Sequence, residues 1–181
     1  MMSPDYSQFS ELEGHRLSGI DLYLLGDEVS VADGPSGRIS ACEADLGVVL
    51  DLADSGRMIV EWGTPGVHEG VSIRRDEVSH GQVCVQSLLS VDPSLGARLA
   101  EVIVRVDVVD AEFDWSGRVA PWAAAILLAN GVRFSIALGE IEGNAIAYAP
   151  DSLVLLLDES IGEQYRIEGA RASAWGTAQR S

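Results

Sequence analysis

Two segments of this chain share one pattern, and that pattern restricts the fold more than any other feature. Residues 48–63 read VVLDLADSGRMIVEWG, and residues 124–139 read AAILLANGVRFSIALG. They align without a gap at an offset of 76 residues, and each places an arginine (Arg57 or Arg133) after a polar turn. Apolar residues alternate on both sides of each turn, which is typical of β-strands. The sequence therefore predicts two β-hairpins in a chain that repeats one β unit.

Weaker matches extend the alignment outward. Residues 14–17 align with 96–99, and residues 71–78 align with 146–153. Only four residues are identical within the hairpin block, so a duplication and a shared bias toward Ala and Val both explain the pattern. We predict a mainly β fold: an antiparallel sandwich or barrel-like sheets built from two pseudo-repeated β units, with one or two short helices. The expected units are residues 1–90, with an N-terminal helix near residues 4–13, and residues 91–181. Both are expected to share a core in one compact domain.

The apolar positions of the two hairpins form the predicted core. These are Leu50, Leu52, Met58, Val60, Trp62, Ile126, Leu128, Phe134, Ile136 and Leu138. Residues 121–129 are ambiguous, since a proline followed by alanines favours a helix, whereas the alignment with residues 48–53 favours a strand. We predict a strand. Asn130-Gly131 then predicts a type I′ turn, because both residues tolerate positive φ.

The charge of the chain limits its partners. The formal net charge is −16, and all twelve basic residues are arginines. An acidic surface repels nucleic-acid phosphates and anionic membranes and favours a basic protein, although solubility alone also explains such a charge. Without lysine, the chain cannot build a Walker A site, a Schiff base or a Ser-x-x-Lys nucleophile.

Other features favour a soluble cytoplasmic protein. Cys42 and Cys84 lie far apart with no CxxC motif, so a reduced pair is favoured over a disulfide. The N-terminus has no basic stretch followed by an apolar run, so no signal peptide is predicted. The longest apolar stretch, residues 119–128, is too short to span a bilayer.

Motifs for catalysis or cofactor binding are not recognisable. His15, His68 and His80 form no HxH or HExxH pair, which leaves open only a zinc site assembled by folding. There is no GxSxG elbow and no GxGxxG loop. We therefore predict no catalytic residues, no metal and no cofactor.

The acidic alternation at Asp110, Glu112 and Asp114 is the most distinctive constellation. It fails the EF-hand pattern, because Trp115 and Pro121 stand where Gly and Glu are required. It fits a charged strand edge that resists sheet-to-sheet pairing. Two tryptophans flank the nearby Ser-Gly-Arg turn and complete a predicted interaction surface. Its residues are Asp110, Glu112, Asp114, Trp115, Arg118 and Trp122.

Three functional hypotheses follow. The first is a non-catalytic acidic interaction protein, such as a cytosolic inhibitor or immunity-type protein for a basic partner. The second is a β domain that binds a small molecule in a pocket between its two halves. The third is an enzyme with a spatially assembled site, although the missing motifs favour a protein that is not an enzyme. The expected partner is another protein, not nucleic acid or membrane, and a homo-oligomer is left open.

Overall fold

A computed structural model describes residues 6–34, 37–64, 68–76, 83–113 and 118–176. For residues 64, 68, 69, 113 and 118 it describes the backbone. The chain folds into two antiparallel sheets, which we call sheet I and sheet II, a small β-ribbon and four short helices. Elements are numbered in chain order.

Sheet I has five strands in the spatial order β6-β5-β4-β1-β7. Their bounds are β1 Leu17–Leu24, β4 Gly47–Leu52, β5 Gly56–Thr64, β6 His68–Arg75 and β7 Cys84–Ser87. Sheet II has six strands in the order β2-β3-β13-β10-β9-β8. Their bounds are β2 Val31–Asp33, β3 Ile39–Ala44, β8 Ile103–Phe113, β9 Arg118–Leu128, β10 Arg133–Leu138 and β13 Leu153–Leu156.

The remaining elements are short. The ribbon pairs β11 (Glu140–Glu142) with β12 (Ala145–Ala147). The helices are α1 Ser7–Ser10, α2 Leu88–Val91, α3 Leu95–Leu99 and α4 Glu159–Gln164. The prediction of a mainly β, antiparallel sandwich-like fold is confirmed, with four short helices instead of one or two and, in the described part of the chain, no closed barrel. No helix among the described residues is long and apolar enough to cross a membrane.

Both predicted hairpins are present, one in each sheet. Strands β4 and β5 pair in sheet I, and β9 and β10 pair in sheet II. The ten predicted core residues all belong to one apolar cluster. Nine of these ten are buried, and Trp62 is partly exposed. Alternation thus identified the buried face of each strand correctly, because neighbouring side chains of a strand point to opposite faces.

The turn of the second hairpin differs from the prediction. Gly131 has a φ of +83°, but no described residue other than glycine has a positive φ, so the predicted type I′ turn is wrong. Asn130 instead uses its side chain: Oδ1 accepts from Val132 N at 3.0 Å, and Nδ2 donates to Arg98 O at 2.8 Å. The first bond closes the turn, the second joins it to α3, and a left-handed glycine completes the reversal.

The alanine-rich segment is a strand, as predicted. Residues 122–126 of β9 are each at most 1% exposed, although their side chains point alternately to the two faces of sheet II. Burial on both faces outweighs the helix preference of alanine, which amounts to less than about 1 kcal/mol per residue.

Different parts of the chain cover the two faces of sheet II. One face packs on sheet I, and at Gly70 the backbones come close enough that a Cβ would lie 3.0 Å from Pro121 O. The opposite face is covered by α4 and the chain that follows it. That segment includes Tyr165 and Trp175, which join the same apolar cluster, and it leaves Ser135 fully buried.

The aligned residues 14–17 and 96–99 belong to different kinds of element. Leu17 begins a strand, whereas its aligned partner Leu99 ends a helix. Strands β2 and β3, from the first half of the chain, belong to sheet II, where β3 pairs with β13. The duplication and the division into residues 1–90 and 91–181 therefore stay predictions.

Gly162 is the position where a single methyl group should be most disruptive. A Cβ there would lie 2.6 Å from Trp175 Cζ3 and closer still to Cε3. We expect Gly162→Ala to lower the free energy of unfolding by about 1–3 kcal/mol, since overpacking outweighs the gain in helix propensity. Urea denaturation measures the change.

The matched control is Gly26→Ala, because a Cβ at Gly26 would have no neighbour within 4 Å and its φ is not positive. It should change the free energy of unfolding by less than about 1 kcal/mol. If both variants behaved alike, the contact between Gly162 and Trp175 would not secure the C-terminal segment.

Candidate functional site

A cleft of about 970 Å³ lies along β8, and we call it the β8 cleft. Every residue of β8 from 106 to 112 lines it, which means that side chains from both faces of the strand contribute. Residues from the chain ends and from β9 complete its walls: Tyr6, Val119, Gly169, Arg171, Ala172 and Gly176.

The cleft exists because β8 is the last strand of sheet II. One side of β8 pairs with β9, and its other side is only partly covered. Near its start, Ile103 N donates to His15 O at 2.9 Å, and Val106 N donates to Glu13 Oε1 at 2.9 Å. Near its end, Ala111 forms a bridge with Ala170. The edge between these contacts faces the cleft.

Two walls flank this open edge. Tyr6, at the start of α1, lies on the face of β8 that carries Asp110. Residues 169–176 lie on the opposite face, where Gly176 approaches the side chains of Asp107 and Val109. Backbone bonds hold this second wall in place, since Ala174 N donates to Tyr165 O at 2.9 Å and Trp175 N donates to Gly162 O at 3.3 Å.

The charges of the two faces differ. On the face of residues 169–176, Asp107 is bound by Arg133 and by Arg105, whose Nη2 lies 3.0 Å from Oδ2. On the other face, Asp110 and Glu112 have no ion pair within the described ranges. The Tyr6 face of the cleft is therefore the more negative one.

Asp110 also carries a buried oxygen, and the Tyr6 hydroxyl lies beside the Asp110 carboxylate. The Asp110 Oδ1 and the Tyr6 hydroxyl are both shielded from solvent. Burial, followed by the side-chain hydrogen bond to Asp110 and by the charge of that carboxylate, raises the pKa of Tyr6. Buried polar atoms are usually hydrogen-bonded, and the Tyr6 hydroxyl is the donor beside Asp110, so these two groups form part of the wall of the cleft.

The predicted interaction surface is only partly assembled. Asp110 and Glu112 share one face of β8 and line the cleft, as strand alternation requires. Asp114 and Trp115 lie outside the described residues, and for Arg118 only the backbone is described, at the start of β9.

Trp122 corrects the prediction of an exposed aromatic patch. It is 0% exposed and packs edge-to-face on Tyr165, with ring centroids 5.5 Å apart. The physical reason is a bulge in β9: Val109 pairs with Ala123 and Asp110 pairs with Pro121, so Trp122 is the extra residue between them. No local pattern in the sequence marks this irregularity.

A second polar cluster lies on the outer face of sheet I and was not predicted from the sequence. Arg57 binds Asp51 and Asp21, each at 2.7 Å, and its Nη1 lies 3.6 Å from Asp76 Oδ2. Tyr23 donates a hydrogen bond to Asp76 at 2.7 Å. The three carboxylates come from separate strands and a loop, so no motif in the sequence links them.

This cluster has more negative than positive charge. Burial, and next the nearby Asp51 carboxylate, raise the pKa of Asp21, and attraction to Arg57 opposes that shift. In the second hairpin, Arg133 binds Asp107 at the corresponding position after the turn. Both arginines therefore hold carboxylates on the outer face of their sheet.

The histidines and cysteines assemble no centre that the structure describes. His15 Nδ1 lies 3.0 Å from Asp54 Oδ1 near the surface, and the side chains of His68 and His80 lie outside the described residues. Both cysteines are free, and burial raises the pKa of Cys42 to about 12. Where side chains are described, no three His, Cys, Asp or Glu residues are grouped to hold a metal ion.

Comparisons with profiles of known protein families, with curated proteins and with solved structures gave no significant match. The geometry and charge of the cleft are therefore the basis on which a function can be inferred.

The raised pKa of Asp21 makes a prediction about stability. A carboxyl whose pKa is higher in the folded chain stabilises the fold below about pH 4, and this contribution is lost as pH rises through the folded pKa. Asp21→Asn mimics the protonated form. Its free energy of unfolding, relative to wild type, should therefore increase from about pH 3.5 to about pH 7.

Urea denaturation across this pH range tests the prediction. Asp27→Asn, in the exposed loop after β1, removes the same charge away from Arg57 and serves as the control. If Asp21→Asn instead lost stability relative to wild type with rising pH, attraction to Arg57 would outweigh burial and repulsion.

Proposed function

We propose that this chain is a non-catalytic acidic interaction protein that binds a basic protein partner at the β8 cleft. An inhibitor or immunity-type protein has this character. The observation that carries the proposal is the cleft of about 970 Å³, on one face of which Asp110 and Glu112 have no ion pair with any described residue.

The overall charge of the chain supports the same partner chemistry. With a net charge of −16, the long-range field accelerates encounter with a basic protein and repels acidic ones. The local excess of carboxylates in the cleft then supplies selectivity. Such binding should weaken as salt screens the charges, over a Debye length of about 10 Å at about 0.1 M ionic strength.

Small-molecule binding is the second candidate, and the cavity volume favours it. Sites for small molecules typically have volumes of about 300–1,000 Å³. The β8 cleft differs from the pocket expected between two halves, because it follows the edge of sheet II and is lined by carboxylates. Native mass spectrometry of the purified chain would detect a retained small molecule.

Two charge-matched double variants test the proposed function. Asp110→Asn with Glu112→Gln removes two charges from the cleft. Asp27→Asn with Glu28→Gln removes two charges from the exposed loop after β1, which does not line the cleft. Each is compared with wild type for capture of proteins from a native lysate, at about 0.1 M and about 0.5 M salt.

We expect a basic protein that binds the wild type and the loop variant, is lost with the cleft variant, and is released by salt. If every captured protein bound both variants equally, or ignored salt, the cleft would not be an electrostatic docking site and the proposal would be overturned.

A further inference from the structure

We propose that the partner enters the β8 cleft as an extended basic strand that pairs with the edge of β8 on which no described strand lies. This inference depends on the proposed function, since it assigns a binding mode to the same cleft. In this mode backbone hydrogen bonds supply affinity, and alternate side chains of the added strand supply specificity.

The shape of the cleft is that of a strand edge. A pocket over one face of a sheet is lined by alternate residues of a strand, because alternate side chains point to that face. The β8 cleft is lined by seven consecutive residues, 106 to 112. It therefore follows the edge of the strand, with Tyr6 on one face and residues 169–176 on the other.

The backbone of β8 presents hydrogen-bonding groups to the cleft. Val106 N points away from β9, since it donates to the Glu13 carboxylate. In an antiparallel strand, the outward-pointing backbone groups recur at every second residue, so Val108 also presents its N–H and C=O to the cleft. Glu13 already places an oxygen where the carbonyl of an added strand would lie. This contact indicates that the backbone N–H groups of this edge bind hydrogen-bond acceptors.

The open edge has a definite length. It begins after the contact of Glu13 with Val106 and ends at the bridge between Ala111 and Ala170. The four residues between these contacts span about 13 Å at about 3.3 Å per residue. An added strand of about four or five residues therefore fits.

The carboxylates of β8 determine which kind of strand the edge would bind. On one face of β8, Arg133 and Arg105 neutralise Asp107, whereas Asp110 and Glu112 on the other face have no described basic partner. A strand with arginine or lysine at every second position would direct its basic side chains to this face, toward Asp110 and, beyond the end of the open edge, toward Glu112.

A second copy of this chain is a poor occupant. Edge-to-edge pairing of two β8 strands would place the carboxylates of both copies along one short ribbon, and each copy carries a net charge of −16. Like charges on paired strands are destabilising. The cleft is therefore protected against self-association but open to a basic strand.

The test uses the full chain and two peptides. The first is acetyl-Thr-Arg-Val-Arg-Val-Arg-Thr-amide, and the second is the same peptide with N-methyl groups on its three central residues. Methylation keeps the charge and blocks strand pairing on both edges. Calorimetry should show that the methylated peptide binds at least about tenfold more weakly, because several backbone hydrogen bonds are lost.

Two variants of β8 complete the design. Val108→Pro removes an edge donor without touching the ladder to β9, and Val108→Thr keeps that donor and the β-branched shape. We expect the proline variant to weaken binding of the unmethylated peptide about tenfold and the threonine variant to retain it. Thermal unfolding checks that both variants fold, and the methylated peptide decides the question if the proline variant does not fold.

The outcomes separate the two proposals. Equal binding of both peptides would overturn strand addition and leave the acidic docking site standing. If neither peptide bound, both proposals would fail at this cleft. Concentration-dependent dimerisation of the wild type that Val108→Pro abolishes would assign the edge to a second copy and overturn the basic occupant.

Discussion

Burial of sheet II on both faces is the constraint on which the rest of the structure depends. Its central strands carry apolar or small side chains in both phases, so neither face can be left to solvent. Sheet I covers one face. The other requires a second layer, which α4 and residues 165–176 provide through Tyr165 and Trp175. The close packing of Trp175 on Gly162 holds residues 165–176 against α4.

The candidate site follows from that covering layer. After Trp175 is buried, the segment passes the edge of β8 and forms one wall of the cleft, while the N-terminal residues around Tyr6 form the other. The bulge that buries Trp122 lies opposite Asp110, where the pairing of β8 with β9 shifts. The elements that complete the core therefore also shape the cleft around its carboxylates.

The placement of the few arginines explains why the cleft is negative. Twelve arginines face twenty-eight acidic residues, so carboxylates far outnumber their basic partners. Arg57 and Arg133 occupy corresponding places after the two hairpin turns, and each binds carboxylates on an outer sheet face. Because these arginines are engaged elsewhere, Asp110 and Glu112 stay uncompensated by any described residue at the open edge. This local excess favours a basic partner more directly than the net charge does.

The sequence alone determined the two hairpins and the buried phase of their strands, because a period of two depends on neighbouring residues only. It also identified Asp110 and Glu112 as an acidic strand edge. Tertiary structure decided what local patterns do not encode: the exchange of β2 and β3 into sheet II, the burial of Trp122 by a bulge, and the Arg57 cluster assembled from distant strands. It also decided that β8 is an edge strand, among the described strands, flanked by Tyr6 and residues 169–176. An edge is defined by which strands do not pair, and that depends on packing between residues far apart in the chain.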